Sequence, residues 1–297
     1  MWGRGAKQST QPMEIVMIRH GQSEANVVQQ AEKHGEIPPD LEKVYARHDF
    51  EHHLTQRGVV QAKAARAVLV QNGLEPEGFD ECYVSPFVRT QETAAYIGNG
   101  LVDWLPEVRI IERDWGLYGA TPLSERIERY AHTERRREIS SFLTRYDNGE
   151  NIPDVGGRLR DWVSTLNRDK TNQRILAVTH GELMWTARFV FEGLSPDEWG
   201  AMDKDKNLRI PNCGILWYSR RNPEKRRDIS RTMTGGWRRM IDPYEPENSP
   251  YGGEWQKLPG RTRLNGAEML AAAEIVERIA DAALLTDDPS AAEGLIS

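Results

Sequence analysis

Ile15-Val16-Met17-Ile18-Arg19-His20-Gly21-Gln22-Ser23-Glu24-Ala25-Asn26 is an apolar, β-branched run that stops abruptly at an arginine, a histidine and a glycine. A run of this kind predicts a buried strand over residues 14–18, and Gly21 predicts a sharp turn at its carboxyl end. In open α/β sheets, ligands bind outside the carboxyl ends of the strands. The pattern therefore sets Arg19 and His20 side by side at a crevice. Arginine presents a planar fork of donors that suits phosphate oxygens. Histidine, with an ordinary pKa of about 6.5, can act as a nucleophile at neutral pH. Taken alone, the triplet reads equally well as a strand that ends in polar residues.

The rest of the chain extends the pattern. Thr55 predicts a helix N-cap, and Val59, Ala62, Ala65, Ala67, Leu69 and Val70 give the helix an apolar face as far as Gly73. Residues 81–85 predict a second strand, with Pro86 opening a helix through about residue 97. Residues 108–111 read as a short strand, 159–167 as a helix, 174–179 as a strand and 182–191 as a helix. Residues 214–218 read as the last strand. Residues 40–53 are irregular and charged, and 124–145 form a charged helical stretch. Strands separated by helices predict an α/β protein: a three-layer α/β/α sandwich around a mostly parallel sheet, with a helical excursion above it.

Composition narrows the function classes. The 297 residues carry a formal charge of -6 and are 38% hydrophobic. The mean hydropathy is -0.66 and the pI near 5.8. These values describe a polar globular protein and give no reason to expect nucleic-acid or membrane binding. No apolar run approaches the roughly 18 residues that suggest a membrane span. Residues 1–13 are polar and Gly-rich, without the apolar region of a secretory signal, and read as a disordered leader. Cys82 and Cys213, far apart in such a chain, read as buried free thiols in a reducing cytoplasm.

Four places can carry chemistry. The first is Arg19-His20. The second is Ser85-Pro86-Phe87-Val88-Arg89-Thr90, which puts Arg89 in the first turn of a helix just after a strand, where cation and helix N-terminus together favour an anion. The third is Ile110-Ile111-Glu112-Arg113-Asp114-Trp115-Gly116. Apolar neighbours there would raise the pKa of Glu112 towards what a general acid needs near pH 7, although a surface carboxylate is the simpler reading. The fourth is Ala177-Val178-Thr179-His180-Gly181-Glu182, which repeats the opening grammar of strand, histidine and glycine.

In combination these four sites resemble the histidine phosphatase superfamily, which includes cofactor-dependent phosphoglycerate mutases and many phosphatases. The similarity runs from about residue 14 to 218. Leu54-Thr55-Gln56-Arg57-Gly58 with Gln61-Ala62 is similar to the family's first-helix signature. Pro153-Asp154-Val155-Gly156-Gly157, before a helix at 158–167, resembles its Pro-Gly-Glu-Ser segment but lacks the glutamate and serine. The resemblance implies a catalytic domain over 14–220, with the excursion at about 117–152. It implies that His20 accepts a phosphoryl group to form phosphohistidine. Arg19, Arg89 and His180 would hold the phosphate oxygens, and Asn26, Ser23 and Gly181 would contribute to substrate binding. Glu112 would protonate the leaving oxygen, with Asp114 as the competing candidate. A phosphorylated small molecule is the implied substrate, and neither metal nor cofactor is required. The implied activity is phosphomonoester hydrolysis, with phosphoglycerate mutase chemistry or an idle phospho-ligand-binding scaffold as alternatives. Ala25 stands where the mutases tend to have tryptophan, which tilts the reading towards a phosphatase.

Other features weigh less. His48, His52 and His53 include an i, i+4 pair with metal-ligand spacing, but the segment supplies no closing cysteine and reads as a solvated loop. Arg135-Arg136-Arg137 reads either as a charged helix face or as a meeting point for an anionic substrate. Residues 220–239 hold eight basic residues against Glu224 and Asp228, a net of +6. Residues 221–297 continue past the last expected strand as an extension, with one Ala-rich helix at 266–285 and a disordered end. That helix offers a face for packing or for a homodimer.

Overall fold

The computed structural model describes residues 9–260, 265–271, 273 and 274. The chain divides into two units, 1–260 and 261–297. Seven strands form the first unit's sheet, β1 (Glu14–Arg19), β2 (Glu81–Val84), β3 (Leu105–Pro106), β4 (Arg174–Thr179), β5 (Ile215–Ser219), β6 (Trp237–Ile241) and β7 (Gln256–Lys257), in the order β3-β2-β4-β1-β5-β6-β7. The β3-β2-β4-β1 half is parallel, and β5, β6 and β7 each run antiparallel to the preceding neighbour. Among the described residues of this unit the α-helices are α1 (Glu24–Lys33), α2 (Leu41–Tyr45), α3 (Gln56–Gln71), α4 (Val88–Gly98), α5 (Gly116–Gly119), α6 (Leu123–Arg129), α7 (Ala131–Ile139), α8 (Ile152–Asp169), α9 (Gly181–Glu192) and α10 (Pro196–Lys204).

The alternation of side chains along β1 separates two cores. Ile15 and Met17 pack with α8 and α9 through Leu159, Trp162, Leu183 and Met184. Val16 and Ile18 pack with α3 and α4 through Ala62, Leu69, Ala94 and Ile97. Because every core strand is covered on both faces, it reads as a continuous apolar run, and each buried Val, Leu or Ile contributes about 1.5–3 kcal/mol. The three-layer sandwich follows.

Local signals account for the helix starts. Thr55 Oγ1 accepts from Gly58 N at 3.1 Å and caps α3. Asn151 and Asp154 form a reciprocal cap on α8, so the Pro153 to Gly157 segment lies inside that helix rather than ahead of it. Gly21 is required by a close approach rather than by its dihedral angles. A Cβ there would stand 2.5 Å from Gly58 O, and one on Gly58 would stand 2.2 Å from Gln22 O. The two backbones cross where only glycine fits.

The structure corrects several expectations. Residues 108–110 form a 3₁₀ turn, held by Glu107 accepting from Arg109 N at 2.9 Å, and β3 lies just before it. The sheet continues past β5 into β6 and β7. Arg238 and Arg239 had interrupted the apolar pattern of β6, hiding it from a periodicity reading. Residues 11–13 are tied down: Asn172 N and Arg220 Nη2 donate to Gln11 O at 3.0 and 3.1 Å, and Met13 N donates to Gln173 O at 2.8 Å. Residues 1–8 of the expected leader lie outside the described residues. So do 275–285 of the expected tail helix, of which 266–271, 273 and 274 are helical, and the expected disordered end. Among the described residues no helix is long and apolar enough to cross a membrane. Both cysteines are free and buried.

Candidate active site

The carboxyl ends of the parallel strands converge. His20 N donates to Thr179 O at 2.9 Å and Ser85 N to Val178 O at 3.0 Å, which sets the ends of β1, β4 and β2 level. His20 and His180 therefore face each other, with ring centroids 5.3 Å apart. His20 Nδ1 lies 2.7 Å from Gly21 O, and Arg89 Nε donates to His20 Nε2 at 3.2 Å. The two contacts together assign the proton to Nδ1 and leave the lone pair on Nε2. His180 Nε2 meets Ser85 Oγ at 2.7 Å. Burial, and after it the positive charge of Arg89, holds both histidines well below the usual pKa. Both are neutral at pH 7.

Arg19 reaches across to Ile210 O at 2.8 Å, and its buried Nε has no partner. Gly181 makes room for it, since a Cβ there would stand 3.1 Å from Arg19 Nε. Asn26 Oδ1 accepts from Asn212 Nδ2 at 3.1 Å and from Ser23 N at 3.2 Å, leaving the Asn26 amide nitrogen without a partner among the described residues. Ser23 is buried, and its hydroxyl caps α1 by accepting from Asn26 N. That places Ser23 in the helix cap rather than on the open side of the site.

Glu112 follows the 3₁₀ turn and accepts from Arg113 N at 2.9 Å and Leu183 N at 3.3 Å. Burial and then the neighbouring Glu182 push its pKa up to about 7. Asp114 is exposed and accepts from Gly116 N at 2.7 Å, closing a turn. The two carboxylates thus sit in different surroundings. Arg158, on α8, donates to the carbonyls of Arg109, Ile111 and Glu112 at 2.8–2.9 Å and fixes the segment that carries Glu112.

Asp49 is a participant that the sequence pattern did not single out. Its two carboxylate oxygens accept from Arg89 Nη1 at 3.2 Å and Nη2 at 2.9 Å. Asp49 belongs to the irregular segment, where His48 and His53 are exposed as expected and His52 is the exception. His52 is 5% exposed, with ring nitrogens on Asp49 Oδ1 and Val44 O, and His53 pairs with Glu92 at 2.7 Å. Among the described residues no group of three or more His, Cys, Asp or Glu has metal-site geometry. Of the excursion arginines, Arg137 sits 5.8 Å above the Trp115 ring, while Arg135 and Arg136 are exposed.

The profile of the histidine phosphatase superfamily (branch 1) matches residues 15–223. The chain belongs to that superfamily. It is 28% identical to phosphoserine phosphatase 1 of Hydrogenobacter thermophilus, over 57% of this chain and 71% of the relative. It is 30% identical to a 2,3-bisphosphoglycerate-dependent phosphoglycerate mutase of Methylobacterium radiotolerans, over 61% and 80% respectively. The solved structure of a mycobacterial glucosyl-3-phosphoglycerate phosphatase has the same fold, with TM-score 0.54, 20% identity, and 70% of this chain and 92% of that one covered. Histidine phosphatases thus include both hydrolases and mutases among this chain's relatives.

Proposed function

We propose that the protein is a phosphomonoester hydrolase that works through a phosphohistidine on His20. One observation carries the reading: His20 is neutral, its Nδ1 proton is held by Gly21 O, and its Nε2 lone pair points at Arg89. That is the state in which an imidazole attacks phosphorus. Arg19 and Arg89 supply the fixed positive charge that phosphoryl transfer requires, so catalysis is mainly positioning and electrostatic stabilisation. His180, oriented by Ser85, and the free amide of Asn26 add neutral donors.

In the first step Nε2 forms a bond to phosphorus as the ester oxygen leaves, and Glu112 gives that oxygen its proton. In the second, Glu112 takes a proton from water, the hydroxide attacks phosphorus, and the nitrogen–phosphorus bond breaks to release phosphate. A carboxyl group with a pKa of about 7 can serve in both directions. The substrate is a phosphorylated small molecule, the compartment the cytoplasm.

Similarity to a phosphoglycerate mutase favours a second reading, in which the phosphoryl group passes to another hydroxyl instead of water. Ala25, in place of the tryptophan common in mutases, weighs against it. The test compares the wild type with His20→Ala on p-nitrophenyl phosphate, and on 3-phosphoglycerate primed with bisphosphoglycerate. Hydrolysis requires phosphate release that is lost with His20. Phosphoglycerate interconversion without net release would select the mutase.

A further inference from the structure

A second charged cluster lies at the other end of the sheet. Arg188 and Glu192 are on α9, about 10 and 16 Å along the helix axis from Gly181 at 1.5 Å per residue. Arg238, on β6, pairs with Tyr218, which in turn pairs with Ile15 near the amino end of β1. Arg188 is 2% exposed, Glu192 4% and Arg238 5%. Glu192 is saturated. It accepts from Arg188 Nε at 2.9 Å, Arg188 Nη2 at 3.3 Å, Arg238 Nη1 at 2.5 Å and Tyr218 Oη at 3.0 Å.

One carboxylate cannot neutralise two guanidiniums. Arg188 Nη2 also donates to Tyr251 Oη at 3.1 Å and Arg238 lies over the Tyr251 ring at 4.5 Å, but among the described residues Arg188 Nη1 and Arg238 Nε are buried without a hydrogen-bond partner. Burial of unpaired charge is expensive unless something compensates it. Both arginines line a cavity of about 300 Å³ whose other walls include Leu194, Met202, Leu208 and Leu258. Two further charges on its wall have opposite signs. Lys257 donates to Gly235 O and Glu198 accepts from Ser195 N. The cavity therefore carries one excess positive charge at one end and apolar walls elsewhere. Its volume is at the small end of ligand pockets, which run about 300–1,000 Å³.

We propose that this cavity is a second ligand site, remote from the catalytic histidines, that takes a small monocarboxylate with a compact apolar body. The carboxylate completes the pairing of Arg238 and Arg188, and the apolar part covers the Leu194, Met202, Leu208 and Leu258 walls. A free phosphate ion fits less well, because it leaves those walls wet.

Hexanoate is the probe, titrated by calorimetry into the full chain with inorganic phosphate present to occupy the catalytic end. One molecule should bind per chain, with the same affinity whether or not phosphate is present. Arg238→Met removes the excess charge while leaving the Arg188–Glu192 pair intact, and should weaken hexanoate at least tenfold. Leu208→Trp, at a partly exposed wall position, fills the cavity without touching a charge. It should abolish binding with the far-ultraviolet spectrum unchanged, which keeps the test decisive if Arg238→Met misfolds. Absence of hexanoate binding by the wild type, displacement by phosphate, or unchanged affinity in Leu208→Trp would each overturn the proposal.

Discussion

Glu112→Gln should make the protein less active and, above neutral pH, more stable. Burial and Glu182 raise the native pKa of Glu112 from 4.5 to about 7. Between those values the unfolded chain has released this proton and the native state retains it. Native molecules therefore bind more protons, and stability falls as pH rises through the window, levelling off above about 7. Raising the carboxyl from 4.5 to about 7 corresponds to about 3 kcal/mol. Glutamine preserves the acceptor for Arg113 N and Leu183 N but cannot ionise. The variant should match the wild type near pH 4.5 and exceed it by about 2–3 kcal/mol at pH 8. Urea unfolding at pH 5, 6, 7 and 8 measures the gap. A gap independent of pH, or one that closes as pH rises, would refute the assignment of Glu112 as a carboxyl group held near neutrality.

Three further outcomes follow from particular contacts. Asp49→Ala removes an anion from the donors of Arg89, so inorganic phosphate should inhibit roughly three- to tenfold more strongly, about 1 kcal/mol for freed charge-assisted hydrogen bonds; unchanged or weaker inhibition contradicts the idea that the two anions share those donors. Arg158→Met leaves three carbonyls around Glu112 without their common donor and should lower kcat about tenfold with little change in KM; steady-state kinetics that show the reverse split would place Arg158 in substrate binding. Gly58→Ala puts a methyl group 2.2 Å from Gln22 O, and thermal unfolding should show a loss of about 3 kcal/mol, the upper end of ordinary overpacking; an unchanged Tm contradicts the close backbone crossing.

The strands and helices that surround the histidines were legible because their signals are local. β1 and β4 are apolar on both faces, and α3 carries its own cap at Thr55. Elements that depend on distant partners were not. β6 holds two adjacent arginines, one of which is buried only because Glu192 on α9 receives it. α1 is polar along most of its length and is held by the Ser23–Asn26 cap and by packing on α2. Ser195-Pro196-Asp197-Glu198 is a capping box, a local signal in the sequence for the start of α10. In the site, motif residues at strand ends could be named from the sequence, and the structure brings Arg19, His20, Arg89 and His180 together. Asp49 and Arg158 could not, since each acts on a residue 40 or more positions away. Ser23 caps α1, since a serine at a strand–helix junction serves the helix as readily as a ligand.

The central claim is a phosphoryl group on a ring nitrogen of His20. Rapid acid-free quenching during turnover of a ³²P-labelled phosphomonoester, followed by peptide mapping, tests it directly. The account predicts label on the peptide containing His20, stable to alkali, lost in mild acid, and absent from His20→Ala. Full turnover with no labelled protein, or label that survives acid on a hydroxyl side chain, would contradict it.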